Sequence, residues 1–135
     1  MSDAVPTADS SVPEPLALYI HIPFCVRRCP YCDFNSYAGV DETRRAEYVR
    51  ALQQEIRQWG EKLGHPAVHT IFLGGGTPTT LTGAQFRAII ATCRAHFHVA
   101  ADAEISSEAN PGTVDAARFK AMLAAGVNRL SLGVQ

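Results

Sequence analysis

Val68-His69-Thr70-Ile71-Phe72-Leu73-Gly74-Gly75-Gly76-Thr77-Pro78 decides how this chain folds. A short run of β-branched, aromatic and aliphatic residues stops on three glycines, which reads as a strand, Val68 to Leu73, entering a tight loop. Shortly beyond, Thr82 is placed to cap a helix, and Gln85, three residues on, completes a capping box. Phe86, Ile89, Ile90 and Cys93 then recur three or four apart as one buried stripe. The segment is a strand, a glycine loop and a helix.

Upstream, the same pair of elements occurs. Leu16, Leu18, Ile20 and Ile22 alternate with Ala17, Tyr19 and His21, a strand with period two. A cysteine-bearing loop runs to about Val40. From Asp41 the spacing of Val49, Leu52, Ile56, Trp59 and Leu63 predicts one apolar helical stripe, closed by Gly64. Downstream, Asp102 to Glu108 reads as a third strand, ended by Asn110-Pro111-Gly112. Thr113 is the predicted cap of a third helix, with Phe119, Met122 and Leu123 inward and Gly126 closing it. Asn128 to Val134 is a predicted fourth strand.

The order is βαβαβαβ, and crossover helices between successive strands make the sheet parallel. The predicted class is α/β. Because the sequence stops on a strand that lacks its next helix, residues 16–135 are expected to be the N-terminal portion of a β/α barrel, with an open sheet edge and part of a lumen exposed. Residues 1–15 hold Pro6, Pro13, Pro15, Asp3, Asp9 and Glu14 and no basic residue, and are expected to be a disordered tail rather than a secretory leader.

Composition excludes several classes. At 135 residues and 47% apolar, the chain is sized for one globular domain. A net charge of -1 with no basic run gives no electrostatic case for nucleic acid or an anionic membrane. No apolar stretch approaches the ~20 residues of a membrane helix. A cytoplasmic location is the simplest expectation.

Three of the four cysteines, Cys25, Cys29 and Cys32, fall within one short loop. Clustering without an export signal indicates metal or redox chemistry rather than a disulfide scaffold. Three thiolates on a tight loop suit three irons of a cubane cluster, which leaves the fourth iron open to chelate a small molecule. A zinc site competes, but it takes a second ligand pair further along, and none follows here. Cys29-Pro30-Tyr31-Cys32 also has the form of a glutaredoxin-like dithiol; that reading has no use for Cys25, and the residues after Cys32 read as loop rather than helix. Cys93, alone on a helix, is expected to be a buried small hydrophobe.

Gly74-Gly75-Gly76-Thr77-Pro78 lacks the lysine of a P-loop and the spacing of a dinucleotide fingerprint. It reads either as a turn or as backbone brought close to a ligand. Glu104, Ser106 and Glu108 share one strand face, which is either a solvated row or a row of acceptors facing a ligand. His65 and His69, with Pro66 between them, are not a helical metal pair, His96 and His98 read as surface, and His21 as structural. Position changes the weighting. The cysteine loop, the glycines, Glu108 to Asn110, and Gln135 all fall at C-terminal ends of strands, the end that carries the active site in β/α barrels.

Tyr19-Ile20-His21-Ile22-Pro23-Phe24-Cys25, Cys29-Pro30-Tyr31-Cys32-Asp33-Phe34-Asn35-Ser36, Gly74 to Pro78, Glu108 to Gly112 and Leu132-Gly133-Val134-Gln135 together resemble the HemN/HemW branch of the radical S-adenosylmethionine (SAM) proteins, over about residues 16–135. The resemblance implies a partial TIM-like barrel of the radical SAM type. It implies a [4Fe-4S] cluster on Cys25, Cys29 and Cys32, with SAM held on the open iron. Reduction would cleave SAM to methionine and a 5′-deoxyadenosyl radical. It further implies a SAM site lined by Tyr19, Tyr31, Gly75, Gly76, Thr77, Glu108 and Gln135, with no catalytic side chain assigned. Members that oxidise coproporphyrinogen III in porphyrin biosynthesis carry a further cysteine two residues after the third. Phe34 stands there in this chain. The resemblance therefore implies a haem chaperone, with haem or porphyrin, a reductant protein and a haem-accepting protein as partners, and with most haem contacts lying beyond Gln135.

Overall fold

A computed structural model describes residues 15–25, 37–38 and 41–133. Strands β1 (Leu16–Ile22), β4 (Ala67–Gly75), β5 (His98–Ala109) and β6 (Arg129–Leu132) form one parallel sheet in the order β1-β4-β5-β6. Strands β2 (Phe24–Cys25) and β3 (Tyr37–Ala38) are a two-residue parallel pair that the sequence did not announce. Three helices, α1 (Glu42–Leu63), α2 (Gly83–His96) and α3 (Ala116–Ala125), make the crossovers. The sheet strands follow one another in chain order, and right-handed crossovers of one sense place successive helices on the same face. That is the winding of a barrel wall, not of a doubly wound sheet.

The alternation of each strand sorts its side chains between two faces. Ile20 and Ile22, Ile71 and Leu73, and Ile105 turn to the helices and share a core with Phe86, Ile89, Ile90, Cys93 and Met122. Phe86 is fully buried on α2. Phe86→Ala is expected to cost about 3–5 kcal/mol through lost transfer energy and the cavity left behind, read by chemical denaturation of the intact protein. Among the described residues no helix covers the opposite face. It carries Tyr19, His21, Phe72, Gly74, Glu104, Ser106 and Glu108.

The helix ends follow their local chemistry. Asp41 caps α1 by accepting from the Arg44 amide at 2.9 Å. Gly64 closes it with φ +79°, a left-handed turn that glycine adopts without strain. The Thr82–Gln85 capping box is complete in both directions. The third helix starts later than expected. Asp115 caps it, accepting from Arg118 N at 2.8 Å, while Thr113 falls in the 3-10 turn Pro111–Thr113. Asp is as good a cap as Thr, and the turn fixed by Pro111 and Gly112 delays the helix to it. Gly126 closes α3 with φ +116°.

Three residues expected inside are outside. Trp59 is 46% exposed and Leu63 47%. At the end of α1 the buried position is Gly60, where an added Cβ would stand 2.4 Å from the carbonyl oxygen of His96. The missing side chain lets α1 and α2 approach there and rotates the contact stripe away from Trp59, whose ring instead lies 5.1 Å from the Lys62 ammonium. Leu123 is 69% exposed and, with Phe119, Met122, Val127 and Leu130, lines an open groove of about 330 Å³ on the outer flank of α3. The fourth strand begins at Arg129 because the Asn128 side chain itself takes β5 backbone groups, accepting from Ile105 N and donating to the Ala103 carbonyl, both at 2.9 Å.

Candidate functional site

The C-terminal ends of β1 and β4 are joined beyond the regular ladder. Gly76 N donates to the Ile22 carbonyl at 2.7 Å, and Thr77 N to the Phe24 carbonyl at 2.6 Å. These bonds carry the glycine segment alongside Pro23-Phe24-Cys25. A Cβ on Gly76 would lie 3.0 Å from the Cys25 sulfur and 2.6 Å from the Phe24 carbonyl oxygen. Gly75 has φ +108°, and a Cβ there would meet the His21 ring at 2.6 Å. Both glycines are therefore demanded by close approach of the chain to itself at the end of β4.

Glu108 joins them from β5. Its Oε1 accepts the Gly75 amide at 3.1 Å, and Gly74 packs against both Glu108 and Phe72. A carboxylate has two oxygens and about four acceptor positions, so this one bond leaves capacity for ligand donors. Tyr19 stacks on Phe72 with centroids 5.9 Å apart, and its hydroxyl lies 3.3 Å from His21 Nδ1. Burial first, and the neighbouring Glu108 carboxylate second, push the Tyr19 phenol above its ordinary value. Its proton is held firmly, and the hydroxyl remains a donor at neutral pH. Glu104, at the other end of the same face, pairs with Arg129 at 3.1 Å across the exposed face and does not join this cluster.

Cys25 sits half-buried in β2, with no disulfide partner among the described residues. The pairing of Phe24 with Tyr37 and of Cys25 with Ala38 ties together the two ends of the segment that bears the other cysteines. Cys29, Tyr31, Cys32, Phe34 and Gln135 lie outside the described residues. Among the described residues no three Cys, His, Asp or Glu side chains converge as metal ligands. Of the expected site residues, Tyr19, Cys25, Gly75, Gly76, Thr77 and Glu108 are brought to one mouth.

Sequence reasoning missed several participants. Tyr48 on α1 donates from its hydroxyl to the His21 carbonyl at 2.5 Å, and its ring meets Phe24 edge-on at 5.2 Å. Phe72 forms the aromatic shelf with Tyr19. Arg118 reaches from α3 to the turn that follows the glycines. Tyr48 and Arg118 had no signal beyond a place near an apolar stripe; Phe72 had one, its strand parity with Gly74. Cys93 is buried as expected, and burial pushes its thiol up to about 12. It has no thiolate to offer a metal.

A one-sense parallel sheet with glycine, carboxylate and cysteine motifs at one mouth defines a barrel-wall protein with its candidate site at the C-terminal strand ends. Residues 19–135 match the Radical SAM superfamily, and the chain belongs to it. It is 50% identical over 121 residues to the heme chaperone HemW of Escherichia coli (strain K12), covering 90% of this chain and 32% of that protein. It is 40% identical over 122 residues to the oxygen-independent coproporphyrinogen III oxidase of Salmonella typhimurium, covering 90% of this chain and 27% of that protein. Among solved structures, coproporphyrinogen III oxidase (HemN) from Escherichia coli, described as a radical SAM enzyme, superposes with a TM-score of 0.84 at 39% identity, over 90% of this chain and 28% of the other. The chain thus spans about a third of the length of the curated relatives it matches. The family implies a [4Fe-4S] cluster and SAM. The parallel α/β architecture expected from the sequence is the one observed. No helix among the described residues is long and apolar enough to cross a membrane.

Proposed function

We propose that this chain forms the cluster and SAM-binding part of a haem chaperone. One observation carries the site: Gly76 is lodged against Cys25 while Gly75 donates to Glu108, so the three motifs form one pocket wall. Cys25, Cys29 and Cys32 are the cluster ligands in this reading. Tyr19, Tyr31, Gly75, Gly76, Thr77, Glu108 and Gln135 line the SAM site. When bound and reduced, the cluster supplies the electron that cleaves SAM.

The chain's own groups divide the recognition of SAM. The amides of Gly75, Gly76 and Thr77 already donate to Glu108, Ile22 and Phe24. The glycine segment would therefore meet the SAM ammonium through carbonyl oxygens rather than offer amides to its carboxylate. The Thr77 carbonyl accepts from both the amide and the hydroxyl of Thr80, at 3.0 and 2.8 Å, which favours the side chain as the part of Thr77 that would meet SAM. Glu108 accepts from hydroxyl or ammonium donors, and Tyr19 supplies a flat apolar wall with a protonated hydroxyl.

Phe34, in place of a further cysteine, and the relatives named as heme chaperones favour haem delivery over porphyrinogen oxidation. Partners are then haem, a reductant protein and a haem-accepting protein, in the cytoplasm. Incubating the intact, anaerobically reconstituted protein with coproporphyrinogen III, SAM and reductant is expected to yield no protoporphyrinogen IX, while haem binds and is retained through gel filtration. Turnover to protoporphyrinogen IX sinks the chaperone reading in favour of the oxidase.

A further inference from the structure

The 3-10 turn Pro78–Thr80 stands directly behind the glycine segment. Its two backbone bonds, Thr80 N to the Thr77 carbonyl and Leu81 N to the Pro78 carbonyl, leave the carbonyls of Thr79 and Leu81 to be satisfied from elsewhere. Arg118, in the first turn of α3, does this. Its Nη1 donates to the Thr79 carbonyl and, at 2.7 Å, to the Leu81 carbonyl. Thr79 is fully buried, and its hydroxyl receives the Asn110 amide at 3.4 Å. The turn is thereby clamped between α3 and the end of β5.

The same two segments carry the pocket wall. Gly75 precedes the turn by three residues, and Glu108 precedes Asn110 by two. The Gly75–Glu108 bond at 3.1 Å needs those segments at a fixed separation. A guanidinium suits the task because its planar fork presents several N–H groups in fixed geometry, whereas an ammonium is a mobile point donor.

We propose that Arg118 is a positioning residue of the SAM site, which holds the turn behind Gly75-Gly76-Thr77 at the distance from Glu108 that SAM requires, without touching SAM itself. The proposal rests on the reading that this pocket binds SAM.

The test uses the intact protein, anaerobically reconstituted, as wild type, R118M and R118K. Iron content, the electron paramagnetic resonance spectrum of the reduced cluster with and without SAM, and the SAM dissociation constant are measured on each. In R118M, iron content and the SAM-free spectrum are expected to match wild type, because Cys25 is held by its strand pairing with Ala38, and the Gly76 and Thr77 amides keep their bonds to the Ile22 and Phe24 carbonyls. The SAM Kd is expected to rise about tenfold, or about 1.4 kcal/mol, with a diminished spectral response to SAM. R118K is expected to fall between the two. Wild-type affinity in R118M overturns the proposal, and so does a parallel loss of iron and SAM binding, which would make Arg118 merely structural. If R118M does not fold, R118K decides by the same criteria. Absence of SAM binding in the wild type sinks the underlying site reading instead.

Discussion

Gly76→Ala is expected to lower cluster loading severalfold while leaving a folded chain. The added methyl would sit 2.6 Å from the Phe24 carbonyl oxygen and 3.0 Å from both the Cys25 sulfur and the Ile22 carbonyl oxygen. Two of these neighbours are backbone atoms, held by the very bonds that place the segment, Gly76 N to Ile22 and Thr77 N to Phe24. Neither can move without losing its partner. The third is the Cys25 sulfur, whose displacement would disturb the proposed cluster ligand set. Overpacking of this kind costs about 1–3 kcal/mol, and each broken buried hydrogen bond about 1–3 more. Iron per chain after anaerobic reconstitution should fall severalfold, and SAM binding with it. Gly64→Ala is the control. A Cβ there meets nothing within 4 Å, so only the left-handed backbone at φ +79° is penalised, and iron loading should be retained. Full iron in Gly76→Ala would show that this contact does not shape the site.

The second large effect is expected from Cys25→Ala. In the proposed three-thiolate site, losing Cys25 would remove one iron's protein ligand, and iron content should drop to background. Stability of the cluster-free chain should change little, because Cys25 is only half-buried and its strand pairing to Ala38 is made by the backbone. Cys93→Ala should behave in the opposite way. Its fully buried thiol packs in the core, so the variant should lose about 1 kcal/mol of stability and keep its iron. The pair of variants separates a ligand from a packing cysteine. It also tests the dithiol alternative. If wild type binds no iron and Cys25→Ala retains disulfide reductase activity, Cys29 and Cys32 form a redox pair and the cluster assignment is wrong.

Much of the wall was legible along the chain. Leu16–Ile22 is legible to the residue, because period-two alternation marks a strand with one buried face. The capping box at Thr82 and Gln85 is equally legible, because both partners lie within one helical turn. The errors fell where a neighbour in space decided. Trp59 and Leu63 continue the helical stripe of α1, but the close approach of α2 at Gly60 turned that face outward. Leu123 matches the apolar spacing of α3 yet stands at the rim of an open groove. Strand β5 begins at His98 rather than Asp102 because Ala67 and Val68 pair with His98 and Val99 before the register shifts.

For the site, the residue types were legible and their contacts were not. The three glycines, the Glu108 strand and the cysteine spacing are local patterns, and their common place at strand ends follows from winding order alone. What the sequence by itself determined was therefore the parallel α/β wall and the set of motifs at its mouth, since both depend on periodicity and chain order. The tertiary structure alone decided that Gly76 lies against Cys25, that the Gly75 amide is taken by Glu108, and that Tyr48 and Arg118 brace the mouth from behind. Those contacts join residues 27 to 50 or so positions apart, and no local pattern encodes them. They exist because packing three helices on one face of the sheet leaves the other face, with its strand ends drawn together, to the polar and glycine residues.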